Sequence, residues 1–153
     1  MDKEHGNIFP NFKGTTKEGV ELSQKDISKG PAVAGILVSW CLTCGYELVA
    51  LQEIKDEFAA YKVPVIVFTY EDPAKFDKLI DSLDIDLPII RADSTLFAAM
   101  FIDAIPTRIL LENSCEAMRI TGAPSFKDED FRARLRKMLG ISEVGAADNS
   151  EEK

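Results

Sequence analysis

The 153-residue chain predicts an α/β domain: a mixed central sheet flanked by helices, with an extra β-hairpin at its N-terminal end. Three observations carry that expectation. Residues 32–39 and 63–70 are continuously apolar and rich in β-branched side chains, as strands covered on both faces are. Between them, 44–61 repeats Leu51, Ile54 and Phe58 at helical spacing, with Gln52, Glu53, Asp56 and Glu57 on the outer face. A strand, a helix and a strand in about 40 residues form a βαβ unit, whose strands run parallel.

The remaining elements follow in order. Residues 11–23 hold Lys17-Glu18-Gly19 between short β-prone pieces, the expected extra hairpin. Asp72-Pro73, a capping residue followed by a proline at the first helical position, opens a second helix running through Phe76, Leu79, Ile80 and Leu83. A short strand at 87–91 comes next, and then Asp93 caps a brief helix with Leu96, Phe97 and Met100. Strands at 108–112 and 117–121 flank Asn113-Ser114-Cys115-Glu116, read as a hairpin turn. In the last helix, Ser125 with Asp128 resembles a capping box, and residues 128–130 are acidic in the first turn. Arg134, Arg136 and Lys137 complement the dipole at its end, Gly140 stops it, and Phe131, Leu135 and Met138 form its apolar stripe. The domain therefore spans 1–141. Residues 142–153 are small, polar and acidic and read as a disordered, solvated tail.

Composition excludes several functions. At 46% hydrophobic and 29% charged, the chain is globular. Eighteen Lys and Arg against 26 Asp and Glu give a charge of −8, which argues against nucleic-acid or anionic-membrane partners. The single histidine, His5, leaves little for a Ser-His-Asp triad or a histidine-rich metal site. No run approaches the roughly 18 apolar residues that cross a bilayer. The N-terminus lacks the apolar core of a secretory signal, so the expectation is a cytosolic protein or one whose signal or anchor has been removed.

Three cysteines are too few for a disulfide scaffold, but Cys41 and Cys44 are two residues apart in Trp40-Cys41-Leu42-Thr43-Cys44. This segment joins the end of an expected parallel strand to the start of a helix, the edge where open α/β sheets carry their sites. There, unpaired N–H groups and the helix dipole favour a thiolate, the form that attacks disulfides. Cys41, on the turn, is the expected nucleophile. Cys44, one turn inside, is the expected resolving thiol. A structural zinc needs four ligands, and only Cys115 and His5 remain, on unrelated segments. Glu47 falls in line with Leu51, Ile54 and Phe58, one turn from Cys44. Either its carboxylate is desolvated, raised in pKa and poised to exchange a proton with a cysteine, or it is a wet first-turn glutamate. Cys115 reads as an incidental exposed thiol in the turn, and Arg108 as a solvated arginine at a strand start.

Trp-Cys-x-x-Cys in this setting resembles the thioredoxin superfamily, and within it the TlpA/ResA-like branch of bacterial envelope thiol-disulfide oxidoreductases. The resemblance covers roughly residues 7–141. It rests on Phe9-Pro10-Asn11-Phe12, the Glu18-Gly19 hairpin, and the run from Trp40 through Glu47, including a Glu three residues after the second Cys. It implies a thioredoxin-like fold and an envelope or periplasmic setting, with the cytoplasm as alternative. It also implies that Ile105-Pro106-Thr107 is a cis-proline loop facing the cysteines, where Ile105, Pro106 and Trp40 meet a substrate chain. Two positions depart from relatives: Thr43 stands where many have proline, and Gly35 where ordinary thioredoxins have a buried Asp.

The expected function is therefore a monomeric thiol-disulfide oxidoreductase acting on protein disulfides, as a reductant, recharged by an upstream thiol donor. Its only redox group is the Cys41–Cys44 disulfide, without a cofactor or metal. Two alternatives stand beside it. A peroxiredoxin-like thiol peroxidase needs a Thr three residues before its reactive Cys, and Val38 or Cys41 occupies that position. A non-catalytic thioredoxin-fold binding module would not cycle at all.

Overall fold

The computed structural model describes residues 7–122 and 127–141. Its central sheet is mixed and five-stranded, built from β3 (Pro31–Ile36), β4 (Val65–Thr69), β5 (Ile89–Arg91), β6 (Thr107–Glu112) and β7 (Cys115–Thr121). The spatial order is β5-β4-β3-β6-β7, with β3 at the centre. β3 runs parallel to β4 and antiparallel to β6. A separate antiparallel hairpin of β1 (Lys13–Thr15) and β2 (Glu21–Ser23) precedes the sheet, turning at Gly19 with φ +89. The fold is thioredoxin-like, α/β, with the extra hairpin expected from the sequence.

Alternation along the strands divides the core into two layers. Val33, Val65, Val67 and Leu110 face one way, against α1 (Leu42–Glu57) and α4 (Asp128–Met138). Ala32, Ala34, Ile36, Ile66, Phe68, Ile109 and Leu111 face the other way, toward Phe9, Phe12 and the side of α3 (Ser94–Ala99) that carries Leu96 and Phe97. With both faces covered, the inner strands have no polar side, which is why they read as unbroken apolar runs. Helix α1 buries Cys44, Leu48, Leu51 and Ile54 on one stripe. It lies so close to β3 that a Cβ on Gly35 would fall 2.5 Å from Leu51 Cδ1.

Several boundaries move from their expected places. β3 leaves the ladder after Ile36, although Leu37 and Val38 remain fully buried. β5 begins at Ile89, not at 87, because Pro88 has no N–H to donate to a ladder. Helix α1 starts earlier than expected, at Leu42, and gives way after Glu57 to a 3-10 turn, Ala59–Tyr61. The second helix opens with the 3-10 turn Pro73–Phe76 capped by Asp72, then continues as α2 (Asp77–Leu83). Asp93 caps α3, as its position suggested, accepting from the Leu96 N–H at 2.8 Å. The hairpin turn is shorter than expected: Asn113 and Ser114 alone carry positive φ, 52 and 69. Cys115 is therefore not in the turn. It is a half-buried residue of β7 opposite Glu112, also bridged to Ile8.

Asp128 opens α4, and its carboxylate bonds to Arg108 and Arg132. The Ser125 half of the expected capping box lies outside the described residues, as do the acidic tail from 142 onward and His5. Among the described residues, no helix is long and apolar enough to cross a membrane.

Candidate active site

β3 ends at the edge of the sheet, and the chain passes through Ser39 and Trp40 to Cys41, which occupies the N-cap of α1. Its extended backbone (φ −97, ψ 122) is usual for a cap, but its side chain accepts no capping hydrogen bond. The Cys44 N–H donates to the Cys41 carbonyl at 3.1 Å, closing the first turn, and Cys41 Sγ lies 3.0 Å from Thr43 Oγ1. Both cysteines are free thiols.

Their surroundings differ sharply. Burial tends to raise the Cys41 pKa, but hydrogen bonds from the Thr43 hydroxyl, the Cys44 thiol and the Cys44 and Thr43 backbone outweigh it, and the thiol sits below its ordinary value. Cys44 is fully buried, and that burial pushes its thiol up to about 12. A backbone hydrogen bond involving Val38 opposes the shift, while Cys41 and the Glu47 charge add to it. One thiol is thus the readier to ionise, and the other is held protonated.

The proline loop meets this segment across the sheet. Thr107 pairs with Ile36, so Pro106 comes beside the first residue beyond β3. The Ile105–Pro106 bond is cis, Pro106 is buried, and Ile105 packs against both core layers. Around Cys41 the surface is apolar: Trp40 is 71%, Leu42 76% and Tyr46 70% exposed. Trp40 is thus largely open to solvent, not packed into the core.

Glu47 is 2% exposed, so it is not a wet first-turn residue. Its partner corrects a second expectation: Arg108 is 1% exposed, not solvated. Arg108 Nε donates to Glu47 Oε2 at 2.6 Å and Nη2 to Oε1 at 2.8 Å. Its Nη1 donates to Asp128 Oδ1 at 2.7 Å, and its guanidinium carbon lies 4.8 Å from the Phe131 ring centre. A buried arginine is tolerated here because two carboxylates and an aromatic face receive it. Burial holds the Glu47 carboxyl above its ordinary value, and the Arg108 guanidinium opposes that shift.

Two of these residues were not read from the sequence as part of the site. Arg108 is two residues before the buried Leu110, so strand alternation puts it on the same inner face, a signal that was available. Glu71 had no such signal. Placed just after β4, it accepts from the Ser39 N–H at 2.6 Å and from the Ser39 hydroxyl at 3.1 Å, fixing the segment that enters the cysteine turn. Among the described residues, no group of three or more His, Cys, Asp and Glu side chains is placed to hold a metal ion.

Comparison with known proteins agrees with this architecture. The family model described as AhpC/TSA family matches residues 5–119. The thioredoxin-like protein YneN of Bacillus subtilis is 23% identical over 113 residues, which span 71% of this chain and 66% of that protein, just under two thirds of its length. Among solved structures, a thiol:disulfide interchange protein DsbE from Chlorobium tepidum, described as putative, superposes with a TM-score of 0.79. It is 15% identical, over 89% of this chain and 98% of that one. The peroxidoxin BcpB of Mycobacterium tuberculosis superposes with a TM-score of 0.69, at 15% identity, over 90% of this chain and 97% of that one. At these identities the two structural likenesses are likenesses of fold.

Proposed function

We propose that this chain, which belongs to the AhpC/TSA family, is a thiol-disulfide oxidoreductase that reduces protein disulfides through Cys41 and Cys44. The observation that carries the reading is the asymmetry of the two thiols: Cys41 at the helix cap, accessible and lowered in pKa, and Cys44 buried one turn inside and raised.

In the proposed cycle the Cys41 thiolate attacks a substrate disulfide, and one substrate sulfur leaves as a thiolate. Cys44 then attacks the Cys41 sulfur of the mixed disulfide, releasing the second substrate thiol and leaving the Cys41–Cys44 disulfide. Two electrons have passed to the substrate, and an upstream thiol donor returns them. The exposed Trp40, Leu42 and Tyr46 support a protein substrate, because they offer an apolar surface around the nucleophile to a chain segment. In this reading the segment would also run beside Ile105 and the cis-Pro106, which the strand register sets opposite the chain just beyond β3. The cycle needs no cofactor besides the disulfide itself.

The test is a trap. Cys44→Ser should accumulate reductant-sensitive mixed disulfides on Cys41, and Cys41→Ser should lose insulin reduction. Retained insulin reduction in Cys41→Ser would remove the assignment.

A thiol peroxidase is the second reading, favoured by the family match and by the fold shared with a peroxidoxin. Against it, the residue three before Cys41 is Val38, fully buried and without a hydroxyl for a peroxide. Rapid peroxide consumption by the dithiol protein, lost in Cys41→Ser or Cys44→Ser, would favour this reading over the first.

A further inference from the structure

Both oxygens of Glu47 are held by one side chain. Arg108 grips them with two N–H groups, and a third nitrogen binds Asp128, whose other oxygen accepts from Arg132 Nε at 2.9 Å. Each partner is fixed from a different element. β6 holds the Arg108 backbone opposite Gly35 on β3, α1 carries Glu47, and α4 carries Asp128, Arg132 and the ring of Phe131. Among the described residues, the charged and titratable groups that act on Glu47 include Cys44 on its own helix, Arg108 on β6, and Asp128 and Arg132 on α4.

A free carboxylate beside a buried thiol is a natural proton acceptor. This one is different. To take a proton, Glu47 would give up the charge that strengthens both of these hydrogen bonds and that compensates a cation with no access to water. We propose that Arg108 is a positioning residue: it commits the Glu47 carboxylate to a fixed ion pair, so that Glu47 acts on Cys44 as a standing negative charge and not as the acceptor of its proton.

The resolving step then runs without a carboxylate base. Cys44 sulfur bonds to Cys41 sulfur, the bond from Cys41 to the substrate sulfur breaks with its electron pair going to the substrate, and the Cys44 proton ends on that departing thiolate. The inference rests on the proposed redox cycle for this step alone; the ionisation of Glu47 can be read without it.

Two measurements on the full-length protein test it. Infrared difference spectra of the reduced protein against Glu47→Gln should contain no carboxylic-acid band from Glu47 between about pH 6 and 8. In Arg108→Met that band should appear. The second measurement is the release of glutathione from a preformed Cys41–glutathione mixed disulfide. Removing a standing charge favours the Cys44 thiolate, so Glu47→Gln should release glutathione several-fold faster at neutral pH. Removing a proton acceptor should slow release by about tenfold or more.

Slower or unchanged release in Glu47→Gln, or a Glu47 acid band in the wild-type protein at neutral pH, would overturn the proposal. If Arg108→Met does not fold, the wild-type and Glu47→Gln results still decide. A protein whose Cys41 never forms the mixed disulfide would instead defeat the redox cycle, leaving the infrared result to stand.

Discussion

Glu71 holds Ser39 with both ends of its carboxylate, Oε1 on the backbone N–H at 2.6 Å and Oε2 on the hydroxyl at 3.1 Å. The two bonds tie the second residue past β4 to the segment that leads from β3 into Cys41. Glu71→Ala should therefore loosen that segment more than it destabilises the fold, at a cost of about 1–3 kcal/mol for a lost charged hydrogen-bond partner. Trp40, next in the chain, is the natural reporter. Its fluorescence anisotropy should fall in Glu71→Ala and recover part of the way in Glu71→Gln, which keeps one acceptor. Unchanged anisotropy in Glu71→Ala would mean the segment is held by something else.

The two thiols predict opposite responses to pH. Cys44 has its pKa raised on folding, from 9.0 to about 12, so between those values the folded state binds more protons than the unfolded one. Stability contributed by the buried thiol is present below pH 9 and falls as pH rises through that window. Cys41 is lowered, so its contribution has the other sign: present above its unfolded value and lost as pH falls through the folded one. Thermal unfolding of the reduced protein above about pH 9 should show the loss, and Cys44→Ala should flatten it. Iodoacetamide should alkylate Cys41 well before Cys44, and equal rates would contradict the asymmetry.

Breaking the buried ion pair from one side should be costly. Glu47→Leu leaves Arg108 with one fewer carboxylate, and Arg108→Leu leaves Glu47 buried without its cation. Each should lose about 3–5 kcal/mol in urea unfolding. The double change Glu47→Leu/Arg108→Leu should cost far less than the sum, because apolar side chains of similar volume can fill the site. Additive losses would mean the two residues are not coupled.

The apolar surface around Cys41 should matter to large substrates and not to small ones. Leu42→Ser/Tyr46→Ser removes two exposed side chains and should change stability by no more than about 0.5 kcal/mol. The ratio of the insulin reduction rate to the dithiothreitol reaction rate should fall several-fold. A constant ratio would place the substrate elsewhere.

Gly35 faces a crowded space, with Leu51 Cδ1 2.5 Å from where a Cβ would stand. Gly35→Ala should cost about 1–3 kcal/mol as Leu51 is pushed from its rotamer. Adding Leu51→Ala should not add its full penalty to that of Gly35→Ala, since the new methyl occupies part of the vacated space. The same crowding explains why no acid stands at this position: an Asp there would have to displace Leu51.

The parts of this molecule legible in the sequence were those whose causes are local. β3 and β4 announced themselves because both of their faces are covered, and the cysteine pair because its spacing and its strand-to-helix setting are written in five consecutive residues. Asp72 and Asp93 were read as caps from their immediate neighbours, and both cap in the structure. What was missed depends on residues far along the chain. Arg108 looked solvated because its partner Glu47 is 61 residues away, and Glu71 was passed over because Ser39 is 32 away. Cys115 was misplaced because two left-handed residues, Asn113 and Ser114, suffice to turn the hairpin, a backbone choice that composition does not specify.

The ion pair also orders events in time. During synthesis Glu47 emerges 61 residues ahead of Arg108, and Asp128 follows Arg108 by another 20. A nascent chain therefore displays Cys41 and Cys44 long before it has the cation that pairs with Glu47. Until the last helix has been made and docked, the two thiols belong to a chain with a different electrostatic balance from the finished protein. A ribosome-bound fragment ending before Arg108 should expose Glu47 to water and let Cys44 be alkylated as readily as Cys41.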